Sequence, residues 1–171
     1  MIIHLSTADF TAMPWANGKG TTLELLRVER DGRLILRLSR AMVVEDGAFS
    51  IFPNIARNLT VLSGPGFDLV GAGLHLPARL LQPVAFSGAV ALRAVGVAQP
   101  SEDFNVMTAA DLPAAQVTAH PAGTSAQGAL LALAAGRIGA LDVARYDLVL
   151  TDQPLLADMS IIAVQAVGLQ Q

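Results

Sequence analysis

Thr22-Leu23-Glu24-Leu25-Leu26-Arg27-Val28-Glu29-Arg30-Asp31-Gly32-Arg33-Leu34-Ile35-Leu36-Arg37-Leu38-Ser39-Arg40-Ala41-Met42-Val43-Val44 is the stretch that decides the fold. Asp31-Gly32 is the strongest two-residue signal for a β-hairpin, and residues 22–30 and 33–44 supply its arms. In the second arm Leu34, Leu36 and Leu38 take one face, while Arg37, Ser39 and Ala41 take the other. Polar groups in so regular a row are either solvated or line a pocket.

The same grammar continues outward. Residues 57–62 and 67–70 are strand candidates separated by Ser63-Gly64-Pro65-Gly66, and 74–76 follows Gly71-Ala72-Gly73. Residues 84–86 and 89–97 form another hairpin around Ser87-Gly88. Short strands punctuated by glycine and proline about every ten residues indicate a sandwich or barrel and not βαβ units. In the last third, residues 129–135, 140–143, 146–150 and 159–167 are strand candidates, with a turn expected at Thr151-Asp152-Gln153-Pro154. Residues 129–135 also suit a helical turn, because leucine and alanine favour helices. A weak internal duplication relates Leu59-Thr60-Val61-Leu62-Ser63-Gly64 to Leu131-Ala132-Leu133-Ala134-Ala135-Gly136, and residues 90–97 to 161–168. Residues 110–128, rich in alanine, proline and threonine, read as a linker opened by a turn at Asp111-Leu112-Pro113. The organisation expected is a first unit over 1–110 and a smaller second one over 111–171, closed by the N-terminal strands.

Composition narrows the function classes. A chain of 171 residues, 53% hydrophobic and 15% charged, buries most strands on at least one face, and the apolar surface left over is compatible with a homodimer. Net charge is −3 and the basic residues are scattered, so no nucleic acid partner is expected. No apolar run is long enough to span a membrane, and the first ten residues lack the features of a signal peptide. With no cysteine there is neither a disulfide framework nor a thiolate site, which fits a cytoplasmic protein.

Polar chemistry concentrates in three islands, at residues 14–24, 45–57 and 103–108. In the first, Asn17-Gly18 and Lys19-Gly20 allow a sharp loop whose amides form a nest for a carboxylate or phosphate, with Lys19 adding charge. The plainer reading is a capping loop with Trp15, the only tryptophan, as its lid. Met13 stands where a P-loop needs glycine. Glu24 lies either on a wet face or paired inside, with Arg37 and Ser39 on the facing side. Arg57 follows Phe49, Phe52 and Pro53, and either grips a carboxylate with parallel bonds or makes a structural ion pair with Asp46 or Asp103. In the third island Asp103, Asn105 and Met107 share one side, and Phe104 and Val106 belong to the core. Asp103 otherwise caps a turn. His4, His75 and His120 show no metal-ligand spacing and there is no Gly-x-Ser-x-Gly elbow, so neither a metal nor another cofactor is expected.

These islands resemble the HutD/Ves family of bacterial proteins. The matches are Pro14, Trp15, Asn17, Gly18, Gly20, Thr21, Thr22 and Glu24; Ser39 and Ala41; Asp46, Gly47, Phe49, Ser50, Phe52, Pro53 and Arg57; and Asp103, Phe104, Asn105 and Met107. The resemblance implies an all-β, cupin-like (RmlC-type) double-stranded β-helix or jelly-roll of two fused barrels without bound metal. It also implies an association with histidine utilisation and a small dicarboxylate ligand of the formylglutamate type, in a protein that limits pathway flux. Ala16, Lys19, Leu36 and Ala56 depart from the family pattern.

The leading expectation is a metal-free binder of a small anionic metabolite. Arg57 and Arg37 anchor its carboxylate, and Asn17, Ser39, Ser50 and Asn105 give neutral hydrogen bonds. Trp15, Phe52 and Met107 form walls, while Glu24 and Asp103 position the anchors. The alternatives are a metal-independent isomerase or lyase using Glu24, Asp103 or His75 as acid and base, and a module that docks a protein partner.

Overall fold

A computed structural model describes residues 1–169. In chain order, β1 is Ile2–Leu5. Next come β2 (Thr11–Pro14), β3 (Thr21–Arg30), β4 (Arg33–Val43), β5 (Gly47–Ala48) and β6 (Ile55–Ser63). They are followed by β7 (Phe67–Gly71), β8 (Leu74–Ala78), β9 (Val84–Ser87), β10 (Arg93–Val95) and β11 (Ser101–Ala109). The remainder are β12 (Gln116–His120), β13 (Thr124–Ala132), β14 (Gly136–Ile138), β15 (Leu141–Val143), β16 (Leu148–Ala157) and β17 (Ile161–Gln165). The only helical element among the described residues is a 3-10 turn at Thr7–Asp9, so none is long and apolar enough to cross a membrane.

The chain divides into a central unit, Thr11–Ala114, and a terminal unit made of Met1–Phe10 and the described residues from Ala115 onward. In the central unit a six-stranded sheet, ordered β2-β3-β4-β11-β6-β9, faces a four-stranded one, ordered β5-β10-β7-β8. Between them lies a core of Val43, Leu59, Val61, Phe67, Leu69, Ala78, Leu92 and Ala94. The founding hairpin forms as its sequence dictates: Asp31 and Gly32 both take positive φ (52° and 73°), and Arg30 pairs with Arg33.

The terminal unit is one antiparallel sheet, ordered β12-β17-β13-β16-β14-β15, with β1 added along β16. Its core gathers Leu130, Ala132, Ile138, Val143, Val149, Ala157, Met159, Ile161 and Ala163.

The all-β, cupin-like expectation holds, with one correction: the sheets are open and do not close into barrels. Proline explains part of this. Pro14 lies in edge strand β2 and Pro77 in edge strand β8, and a residue without an N–H cannot extend the ladder outward. Of the two readings of residues 129–135 the strand is the one that forms over 129–132, because β13 lies between β16 and β17 with Ala129, Leu130, Leu131 and Ala132 all fully buried. Two local expectations change. The expected turn at 151–154 is a bulge inside β16, where the register against β13 slips between Ala126 and Gly128. Thr151 Oγ1 takes up that irregularity, donating to Gln153 O (2.8 Å) and accepting from Gln153 N (3.2 Å). The expected linker is short, since β12 begins at Gln116 and pairs along all of β17.

Candidate functional site

Strand register builds the floor of one cavity in the central unit. Three cross-strand rows share the inward face of the large sheet. One runs Met13–Thr22–Ala41–Asp103, the next Glu24–Ser39–Asn105, and the third Arg37–Met107–Arg57. Neighbouring strands lie about 4.8 Å apart, so both arginines of the third row stand one strand to either side of Met107. On the other face Leu36, Leu38, Phe104 and Val106 are buried, as the alternation predicts. The cavity measures about 480 Å3.

Ten of the eleven residues singled out from the sequence line it: Trp15, Asn17, Arg37, Ser39, Ser50, Phe52, Arg57, Asp103, Asn105 and Met107. Glu24 does not. It lies on the same face beside the lining, where its Oε2 accepts from Arg37 Nε at 2.6 Å and lies 3.6 Å from Arg27 Nη1. Of its two readings the inside pair is correct, and its place in the site is to hold Arg37. Sequence reasoning missed Met13, Thr22 and Val43 as lining residues. The period-two alternation running from Arg37 through Ala41 was the available signal for Val43.

In the loop between β2 and β3 three amides are used internally: Trp15 N donates to Gly20 O (2.8 Å), Gly18 N to Trp15 O (3.0 Å) and Lys19 N to Asn17 Oδ1 (2.9 Å). Lys19 turns to Glu45 at 2.9 Å and is not part of the lining. Trp15 is fixed from two sides, its Nε1 donating to Thr22 Oγ1 (2.9 Å) and its ring lying over Gly20. A Cβ on Gly20 would fall 2.9 Å from the ring carbons, so this glycine is needed for its size.

The opposite wall is the segment after β5. Phe49 N donates to Leu92 O (2.9 Å) and Phe52 N to Gly88 O (2.7 Å), while Asn54 makes the turn at φ 62°. This segment surrounds Arg57 with aromatic faces. The guanidinium carbon stands 5.4, 5.3 and 5.1 Å from the ring centroids of Phe49, Phe52 and Phe86.

Arg57 is 7% exposed, and neither ion pair considered for it forms. Asp46 is occupied by the amides of Gly96 and Val97 (3.2 and 2.8 Å). Asp103 is reached only through Asn105: Arg57 Nη2 donates to Asn105 Oδ1 (2.8 Å), and Asn105 Nδ2 donates to Asp103 Oδ1 (2.5 Å). Nη1 makes only a long contact to Ser50 O (3.4 Å), and Nε is buried without a partner. Burial pushes the Arg57 pKa down to about 10, with Asp103 opposing and Arg37 reinforcing the shift. Burial also drives Asp103 up to about 7, against the pull of Arg57 and the Asn105 hydrogen bond. The cavity therefore holds one guanidinium with no carboxylate on it, a second held by Glu24, and a carboxyl poised near neutrality.

His75, weighed as a base, pairs with Asp68 at 2.7 Å on an exposed surface and takes no part in the lining. Among the described residues no three His, Asp or Glu side chains gather in a way that could hold a metal ion.

The comparisons with known proteins agree with this architecture. The chain is 37% identical over 110 residues to an uncharacterized 21.2 kDa protein in the hutC 3′ region of Pseudomonas putida, covering 61% of this chain and 57% of that protein. It is 33% identical over 114 residues to protein Ves of Cronobacter sakazakii, covering 64% and 63%. It thus spans less than two thirds of the length of either relative. A conserved protein of unknown function from Pseudomonas aeruginosa PAO1 superposes with a TM-score of 0.78 at 27% identity, over 97% of this chain and 93% of that one. HutD from Pseudomonas fluorescens SBW25 shares the fold, with a TM-score of 0.83 at 23% identity over 98% and 100%. The HutD family model matches residues 7–167, nearly the whole chain, and this protein belongs to the HutD family, which is associated with histidine utilisation.

Proposed function

We propose that the cavity of the central unit binds a small carboxylate of the formylglutamate type, and that binding, not turnover, is how the protein moderates histidine-utilisation flux in the cytoplasm. One observation carries this reading: Arg57 is buried at the cavity wall with its charge uncompensated by any direct carboxylate contact. Leaving a guanidinium so placed costs free energy that a bound carboxylate recovers. Arg37, oriented by Glu24, adds donors from the next strand but one, and Trp15, Phe52 and Met107 exclude water around the contact. Micromolar affinity needs about 8 kcal/mol net, of which one charge-assisted contact supplies roughly 1.5–3 kcal/mol.

Calorimetric titration with formylglutamate, glutamate and urocanate tests the proposal, with Arg57→Met as the control that keeps bulk and removes charge. Saturable binding that the variant weakens at least tenfold supports it. Equal heats and affinities in both proteins remove the anchor.

A metal-independent isomerase or lyase is the second reading, favoured by Asp103, whose pKa of about 7 suits general acid–base work. Product formation from a bound carboxylate, lost in Asp103→Asn with binding retained, would select it.

A further inference from the structure

The polar chain at the cavity floor has a direction. Arginine is a pure donor, so the face of Asn105 turned to Arg57 Nη2 is its carbonyl oxygen. The amide NH2 of Asn105 is then fixed toward Asp103, and Asp103 Oδ1 must be an acceptor. The other carboxyl oxygen, Oδ2, has no hydrogen-bond partner among the described residues, although Asp103 borders the cavity and is only 1% exposed. Beside it, across the β4–β11 pair, Ser39 lines the cavity at 2% exposure, its hydroxyl likewise without a partner among the described residues. Oδ2 is not sealed in the protein but open to the cavity, so its lone pairs are free to accept from a donor that enters there.

We infer that Asp103 Oδ2 reads a hydrogen-bond donor on the ligand, so that the site selects small carboxylic acids bearing a hydroxyl or N–H near the carboxylate held by Arg57, and rejects their keto counterparts. This rests on the carboxylate reading above and names the chemical class within it. One carboxamide and two hydrogen bonds, 2.8 and 2.5 Å, separate the two anchoring groups, so a single small molecule touches both. A keto oxygen at the same place would set one acceptor against another inside the protein, where such mismatches are felt most strongly.

Three dianions of one carbon length make the test: 2-hydroxyglutarate, 2-oxoglutarate and glutarate, titrated calorimetrically at pH 8. The expected result is 2-hydroxyglutarate ahead of 2-oxoglutarate by about ten- to a hundredfold, with glutarate between them. In Asp103→Asn the carboxamide oxygen keeps the bond from Asn105 and the new NH2 takes the place of Oδ2. The preference should then fall to parity or invert.

The unmodified protein gives a second arm. Acidification to pH 5.5 protonates Oδ2 and makes it a donor, so the preference for the hydroxy acid should shrink several-fold. The charged groups around Asp103 are Arg57 from β6, Arg37 from β4 held by Glu24 of β3, and Glu102 on its own strand. Equal affinities for all three acids, or a ratio indifferent to both pH and the substitution, overturns the inference and leaves the carboxylate site standing. Failure of every acid to bind overturns the carboxylate reading itself.

Discussion

Three phenyl rings around a guanidinium replace most of its hydration, and at neutral pH Arg57 keeps its charge all the same, because its pKa falls only to about 10. Arg57→Met should therefore abolish most carboxylate affinity while costing little stability, since a buried cation without a direct counter-charge contributes little to folding. It should also move the Asp103 titration above 7, because the positive charge of Arg57 is what holds that carboxyl down. Carboxyl carbon chemical shifts followed against pH would read the change, and an Asp103 midpoint unmoved by the substitution would show that the two groups do not interact. Asp103 itself links stability to pH in a defined direction. Its folded pKa lies above the unfolded value of 3.8, so its contribution is complete below pH 3.8 and is lost as pH rises through about 7. The stability gap between Asp103→Asn and the natural protein should open in favour of the variant from pH 4 to pH 7, by roughly 2–4 kcal/mol, and then level off. Denaturant melts at pH 4.5, 6 and 8 suffice, and a gap constant across them contradicts the buried-acid account.

Two glycines that back lining residues of the cavity, Gly20 beneath Trp15 and Gly88 bonded to Phe52, look alike in sequence and differ in what they tolerate. A Cβ on Gly20 would meet ring atoms of Trp15, a side chain that can shift by giving up its bond to Thr22 without moving the backbone. A Cβ on Gly88 would fall 2.6 Å from Phe52 O and 2.8 Å from Ile55 O, backbone atoms already fixed by Phe52 N to Gly88 O and Gly88 N to Ile55 O. Gly20→Ala should shift the emission of the single tryptophan and weaken ligand several-fold, with a melting temperature within about 2 °C of the parent. Gly88→Ala should lower stability by roughly 1–3 kcal/mol and displace the Phe52 side of the aromatic cage. Equal losses of stability in the two variants would contradict this assignment. Elements also separate what was legible from what was not. The Asp31-Gly32 turn and the alternation along β4 and β11 could be read directly, because turn chemistry and a period of two are local properties. The Glu24–Arg37 pair is diagonal across a hairpin whose register slips between Glu24 and Leu26, so its partner could not be counted off from the turn. The first loop was legible at one glycine and not at the other: Gly18 takes the positive φ (70°) that its type suggests, whereas Gly20 is there for the ring that lies on it and is absent from the positive-φ residues. In sequence the bulge at 151–154 reads as a turn, because proline in a strand is tolerated only where the ladder is broken, and a broken ladder looks like its end.

At the scale of the whole chain, sequence neighbourhood and structural neighbourhood part company at the N-terminus. β1 immediately precedes the central unit, yet it pairs with β16, Ile2 against Thr151 through Leu5 against Leu148. Two polar contacts pin it there. The terminal ammonium meets Asp152 at 2.6 Å in the open, and His4 Nε2 meets Asp147 Oδ2 at 2.7 Å half-buried. The second is the stronger, because Asp147 is only 4% exposed and among the described residues its carboxylate otherwise accepts only from Ala144 N (2.9 Å). Removing the imidazole leaves a buried carboxylate under-satisfied, so His4→Ala should destabilise by about 1–3 kcal/mol. Asp152→Ala, which breaks an exposed ion pair, should cost well under about 1 kcal/mol. Adding Asp147→Asn to His4→Ala should recover part of the loss, since a neutral amide needs less solvation than a carboxylate. The β1–β16 contact closes a loop of nearly the whole chain, so a transition state that forms before it would leave the folding rate of His4→Ala unchanged and show the loss as faster unfolding. Chevron plots of the parent, His4→Ala, Asp147→Asn and the double variant decide the matter: a slower folding limb would place this pairing early, and additive losses in the two single variants would mean that the two side chains do not support one another.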